Sequence, residues 1–170
     1  ECPETGIIEV SLEQIKKNFS NLAQCGIKTT AYIVIGHPGE TDEDFQMLVS
    51  FVEAMRFDHL GVFTYSDAED LASHRLSGHV SAKVTQDRYN QLMARQKVLS
   101  LEINRKYVER ILPVLIETQA PDGRYIGRSA FQAPEVDGVT YICGQALTPG
   151  TMMPVRITAA LEYDLVGEPV

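Results

Sequence analysis

The chain has 170 residues, a hydrophobic fraction of 44% and a formal charge of −8. That length allows one good core, or one core and a small satellite domain, and the composition is that of a folded protein. Two classes are excluded: no apolar run approaches the roughly 20 residues of a membrane span, and so acidic a chain is unsuited to broad capture of nucleic acid, which needs Lys and Arg to displace counterions.

Residues 1–10 lack the basic start and apolar centre of a secretory signal. Cys2, Cys25 and Cys143 are an odd number at wide spacing and make neither a disulfide framework nor a zinc pattern. Buried thiols in a reducing cytoplasm are expected.

Ser11-Leu12-Glu13-Gln14 reads as a capping box, with Gln14 reaching back, ahead of apolar residues at helical spacing (Leu12, Ile15, Phe19, Leu22) and a stop at Gly26. Tyr32-Ile33-Val34-Ile35 is then an apolar run entering Gly36-His37-Pro38-Gly39-Glu40, and Thr41 opens an amphipathic segment with Asp44 at its third position. This is a buried parallel strand, a tight turn and a helix, whose apolar face is Phe45, Leu48, Val49, Val52 and Met55. Ligands gather at the carboxyl end of such a strand, because backbone groups there are free and the helix start adds partial positive charge. Gly36 and Gly39 admit a close approach that a Cβ would block. Asp42, Glu43 and Asp44 are read as helix-start chemistry rather than metal ligands.

Leu60 to Tyr65 reads as a second parallel strand. Two strands close neither a doubly wound sheet nor a β/α barrel, so the segment is expected to be the C-terminal part of a longer α/β domain, or the C-terminal portion of a partial β/α barrel whose earlier strands are absent here. Residues 66–84 are expected to form a loop, with His74 and His79 as surface histidines having no carboxylate nearby, and Thr85 to open a helix through Tyr107 of about 35 Å. From Arg110 the pattern changes to β-branched alternation broken by Pro121-Asp122-Gly123, Asp137-Gly138 and Thr148-Pro149-Gly150. Five short strands in this arrangement predict a small all-β barrel of OB-like type. In it four arginines stand against seven carboxylates, the wrong sign for a phosphate-reading face. The expected division is an α/β part over 1–109 with its long linking helix, and a barrel over 110–170.

Ile35 to Phe45 and Phe57 to Ser66 resemble the end of the radical S-adenosylmethionine barrel in methylthiotransferases. Ala133-Pro134-Glu135-Val136-Asp137-Gly138 and Glu162-Tyr163-Asp164-Leu165-Val166-Gly167 resemble the TRAM domain of the same enzymes, and Phe57 to Ser66 with Tyr163 to Gly167 is most similar to the ribosomal-protein (RimO-type) branch. That branch implies methylthiolation of an aspartate β-carbon on small-subunit ribosomal protein twelve, using S-adenosylmethionine and 4Fe-4S clusters. The acidic barrel suits a basic protein partner.

The resemblance implies that Gly36, Pro38, Gly39 and Glu40 close the carboxyl face beside S-adenosylmethionine, and that Val62, Phe63 and Thr64 line the adenine. Glu135, Asp137 and Tyr141 are the candidate partner-binding residues. The family's Cys-x-x-x-Cys-x-x-Cys motif does not occur in this sequence, so no metal ligand or catalytic residue is assigned and this chain alone is expected to be inactive. The transfer RNA branch of the family, and a non-catalytic TRAM-type binding module, are the alternative readings.

Overall fold

The structure is a computed structural model describing residues 11–134 and 136–170; Cys2 and Glu135 lie outside the described residues. Helix α1 (Leu12–Gln24) leads to strand β1 (Thr30–Ile35), helix α2 (Asp42–Met55) and strand β2 (His59–Thr64). The strands pair in parallel, Thr30 opposite His59 and Ile35 opposite Thr64. A short 3-10 turn (Ala72–Arg75) precedes the 24-residue helix α3 (Ala82–Arg105). The core of this part is Ile35, Val52, Phe57, Leu60, Val62, Leu92 and Leu99. Each such side chain contributes about 1.5–3 kcal/mol on burial.

Local chemistry explains where these helices begin. Thr41 Oγ1 accepts from the Asp44 N–H while the Asp44 carboxylate accepts from the Thr41 N–H, the reciprocal box the spacing predicts. At α1 only half of the predicted box forms: Ser11 Oγ accepts from the Gln14 N–H, but the Gln14 amide donates forward to Asn18. Helix α3 starts three residues before the predicted Thr85, with Ser81 as its cap. Both hydroxyls could cap, but the Thr85 side chain is buried beneath the turn at Gly36.

One face of the two-stranded sheet packs on α2 and α3, and the other is open: Tyr32 is 69% exposed, Val34 58% and Phe63 54%. The apolar run of β1 is therefore not buried on both sides among the described residues, in contrast to the expectation for a parallel strand. The thiols also differ from expectation, since Cys25 and Cys143 are both exposed. Cys25 caps α1 beyond its last turn, and Cys143 follows Ile142 where the chain leaves its strand.

Strands β3 (Ile111–Gln119), β4 (Tyr125–Ser129), β5 (Thr140–Ile142), β6 (Met152–Ala160) and β7 (Leu165–Pro169) close into a barrel of order β3-β4-β5-β7-β6. All pairs are antiparallel except β5 with β7. Val114, Ile116, Tyr125, Ile142, Val155, Ile157 and Leu165 fill it. Where β5 meets β7, Asp164 Oδ1 accepts from the Val139 N–H at 2.8 Å and the Val139 carbonyl accepts from the Leu165 N–H at 2.9 Å. The two sequence segments that resemble a TRAM domain thus dock on each other. The barrel is tied to α3 through the Glu109 N–H donating to the Ile157 carbonyl and the Asn104 amide donating to the Leu161 carbonyl.

Candidate functional site

The site is the carboxyl end of β1 and β2. Gly36 takes a positive φ of 81°, and the position of a Cβ there lies 2.5 Å from Thr85 Oγ1, so no side chain fits. Glu40 turns back so that Oε2 accepts from the Gly36 N–H at 2.9 Å. Arg88, on the second turn of α3 and only 6% exposed, grips the other Glu40 oxygen and donates to Asp42 Oδ1 at 2.7 Å. Burial alone would depress the Arg88 guanidinium, but the hydrogen bonds it donates to Asp42 and Glu40 outweigh it and hold its pKa above the usual value. The turn is a cinched buckle, with Asp42 part of the clamp.

This arrangement settles which turn groups are free. The Gly36 N–H is taken by Glu40, the Gly39 N–H donates to the Gly78 carbonyl, and the Pro38 carbonyl lies 3.0 Å from His37 Nδ1. Gly39 is open on its side-chain face, with nothing within 4 Å of a Cβ. Phe63 is exposed on the open sheet face beside Val34, whereas Val62 and Thr64 lie on the opposite, helix-covered face: the Val62 side chain points into the core, and Thr64, at the strand end, is exposed beside Gly36 in the cavity under α3.

A cavity of about 260 Å³ adjoins the turn, lined among others by Gly36, Thr64, Tyr65, Asp67, His79 and Thr85. Tyr65 Oη lies 3.2 Å from Asp67 Oδ1 and 2.8 Å from Ser73 Oγ, and Asp67 Oδ2 lies 2.9 Å from His74 Nδ1 and 3.8 Å from His79 Nδ1. Contrary to expectation, both histidines therefore have a carboxylate neighbour. Partial desolvation opposes ionisation of Asp67, but hydrogen bonds from His74 and Tyr65 outweigh it and hold the carboxyl below its usual range. Such a pair can hold a proton beside a bound ligand and pass it on.

The candidate residues on the barrel are not gathered into one open patch. Asp137 is turned inward, accepting from the Ala133 N–H at 3.0 Å and lying 3.3 Å from His59 Nε2 on β2. Tyr141 is half-buried, with the Arg124 guanidinium 4.6 Å from its ring centroid and that arginine paired with Asp122. Glu135 lies outside the described residues.

No group of three or more His, Cys, Asp or Glu among the described residues could hold a metal ion. Cys25 and Cys143 stand on different parts of the chain and are both exposed. The described residues do not fit an iron–sulfur cluster. They do fit part of a nucleoside wall, where Val34 and Phe63 offer apolar surface on the open face and Thr64 stands on the other face at the strand end, beside Gly36.

A parallel βα unit carrying a closed five-stranded barrel on a long helix is the class defined here, and residues 108–170 match the family model of the TRAM domain. Over the length it spans, the chain belongs to the RimO-type radical S-adenosylmethionine methylthiotransferase family. It is 46% identical over 143 residues to the ribosomal protein uS12 methylthiotransferase RimO of Desulfosudis oleivorans, covering 84% of this chain and 32% of that protein. It is 46% identical over 141 residues to the protein of that name from Sorangium cellulosum, covering 82% and 29%. With that from Thermosynechococcus vestitus it shares 41% over 165 residues, covering 96% and 36%. The chain thus spans about a third of the length of these curated relatives.

Proposed function

We propose that this chain is the C-terminal portion of an enzyme that methylthiolates ribosomal protein uS12, with residues 1–109 forming the end of its radical S-adenosylmethionine domain and 110–170 the barrel that holds the protein substrate. The carrying observation is that the similarity extends through both parts, reaching 96% of the chain in one relative. Relatives named for this activity are therefore similar to this chain across both its βα unit and its barrel.

In this reading S-adenosylmethionine and a 4Fe-4S cluster supply the radical chemistry on the substrate carbon when bound. The chain's own residues act as wall and frame. Phe63 on the open face covers the adenine through contact area, Thr64 borders it from the strand end, Val62 contributes only its backbone, and the turn Gly36 to Glu40 borders the cofactor as a rigid rim in which the Gly36, Gly39 and Glu40 N–H groups are already satisfied. The acidic barrel attracts a basic ribosomal protein and disfavours RNA, and the reaction belongs in the cytoplasm where that substrate is made.

The test is mass spectrometry of uS12 from cells that make the natural polypeptide carrying this sequence, in a background lacking any other such activity. Methylthiolated uS12 is expected, and its loss when residues 110–170 are deleted assigns substrate capture to the barrel. Unmodified uS12 with the intact polypeptide, or modification of transfer RNA instead, would overturn the proposal.

A further inference from the structure

Far from the carboxyl ends of the strands, where the α/β part meets the barrel, lies a second cavity of about 410 Å³. Lys28, Arg56, Lys106 and Arg110 all line it, and Asp58 is its one acidic residue. In a chain of charge −8, four cations in one cavity are an inversion of the overall field.

Helix ends account for only part of this gathering. The C-termini of α1, α2 and α3 all reach the cavity, and cations there offset the helix dipoles. Arg56, the left-handed cap of α2, serves that purpose and is held by Glu102 at 2.8 Å. Lys28 and Arg110 stand outside any helix, and neither Lys106 nor Arg110 has an ion pair among the described residues.

Lys28 is the more telling group. Its side chain is 23% exposed, its ammonium sits 4.0 Å from the Phe131 ring centroid, and its nearest carboxylate, Asp58, is 3.9 Å away, beyond hydrogen-bond reach. Asp58 instead accepts the Thr29 N–H at 2.9 Å. The three ammonium donors of Lys28 therefore have no hydrogen-bond acceptor among the described residues, and burial pulls its pKa down against the attraction of Asp58 and Asp137. Lys28 and Arg110 lie 5.3 Å and 6.0 Å from the centroid of the same ring, that of Tyr107, which also stacks on Phe131 at 4.6 Å. With its ring engaged in this way, Tyr107 is poorly placed to stack a base, so the cavity offers charge rather than an aromatic platform.

We infer that this junction cavity is a binding site for a small phosphorylated anion of the phosphate or pyrophosphate class, held by Lys28, Lys106 and Arg110. An anion seated there supplies the missing acceptors to Lys28, and it bridges the α/β part, which provides Lys28, to the start of the barrel, which provides Arg110. A single concavity in an acidic surface favours a compact ligand over a polynucleotide, which needs a basic track.

The test is calorimetric titration of the 170-residue chain with sodium pyrophosphate, with inorganic phosphate and with a short single-stranded oligoribonucleotide, at low chloride. Saturable 1:1 binding of pyrophosphate or phosphate with a dissociation constant no weaker than about millimolar is expected, and the double variant Lys106→Glu, Arg110→Glu should weaken it about tenfold or more. Both side chains are exposed, so the double variant should stay folded and lose only the small helix-dipole contribution of Lys106 at the α3 C-terminus, a drop of a few degrees in melting, and Lys83→Glu at the other end of α3 should bind as the parent does. Lys28→Met is the second variant and should weaken binding in the same way. Absence of saturable binding, equal binding by the double variant, or binding of the oligoribonucleotide alone would overturn the assignment. These charge reversals lie away from the carboxyl-end site, so the result is separable from uS12 modification.

Discussion

Replacing Arg88 by Met should cost the α/β part about 3–5 kcal/mol, the loss that follows when one partner of a buried ion pair is removed and the other stays. The stranded partner is Glu40, whose side chain is only 13% exposed and whose Oε2 remains on the Gly36 N–H. Asp42 is of less consequence, being 89% exposed and able to turn to water. Arg88→Lys should recover only part of the loss, since a single ammonium cannot reach Glu40 and Asp42 with the two-pronged geometry of the guanidinium. The double variant Arg88→Met, Glu40→Gln should be markedly more stable than Arg88→Met alone, because no uncompensated charge is then buried. Urea unfolding followed by a probe in α2 or α3 reads these differences. A loss below about 1 kcal/mol for Arg88→Met would mean that the turn is held by its backbone alone.

The second large effect is expected in the barrel. A Cβ at Gly138 would lie 1.8 Å from the Tyr163 carbonyl oxygen and 2.7 Å from Asp164 Oδ1. Both are parts of the β5–β7 closure, and backbone cannot swing aside as a side chain can. Gly138→Ala should therefore cost about 3 kcal/mol or more, at or above the upper end of ordinary overpacking. Gly150 is the comparison: its φ is +86° but nothing lies within 4 Å of a Cβ, so Gly150→Ala should cost only the backbone penalty of about 1–2 kcal/mol. Chemical denaturation of both variants would decide the matter. Equal losses would show that the β5–β7 junction yields easily and that the glycine is not sterically required.

These two positions show what a sequence reveals about such a chain. The Thr41 and Asp44 box, the Gly-rich turn and the barrel strands are written in short-range patterns, hydroxyl before carboxylate or alternation before a turn, and they form where those patterns fall. Gly138 was legible as part of a motif, but its reason, the Tyr163 carbonyl, lies across the barrel. Arg88 was not legible at all. It sits 48 residues from Glu40, and within a helix an arginine reads as a solvated residue until the turn it clamps is in place. Thr85 reads as the start of the helix for the same reason, because only the fold shows that its side chain fills the space beside Gly36. Asp67, His74 and His79 gather through the 3-10 turn between them, which has no periodic signature. Gln96 is a similar case, a buried amide whose Nε2 donates to the Phe57 carbonyl at 3.0 Å.

The open sheet face bears on the candidate site as well. Parallel strands are normally covered on both sides, and Tyr32, Val34 and Phe63 make one side of this pair an apolar surface at the cofactor end proposed above. The relatives are about three times as long as the stretch matched, which leaves ample chain in those proteins to cover such a face.

The most direct test of the central claim is a parallel binding titration of the chain with purified ribosomal protein uS12 and with transfer RNA at physiological salt. The account predicts saturable binding of uS12 that weakens as salt rises, and no comparable binding of transfer RNA. Selective binding of transfer RNA, with uS12 left free, would contradict it.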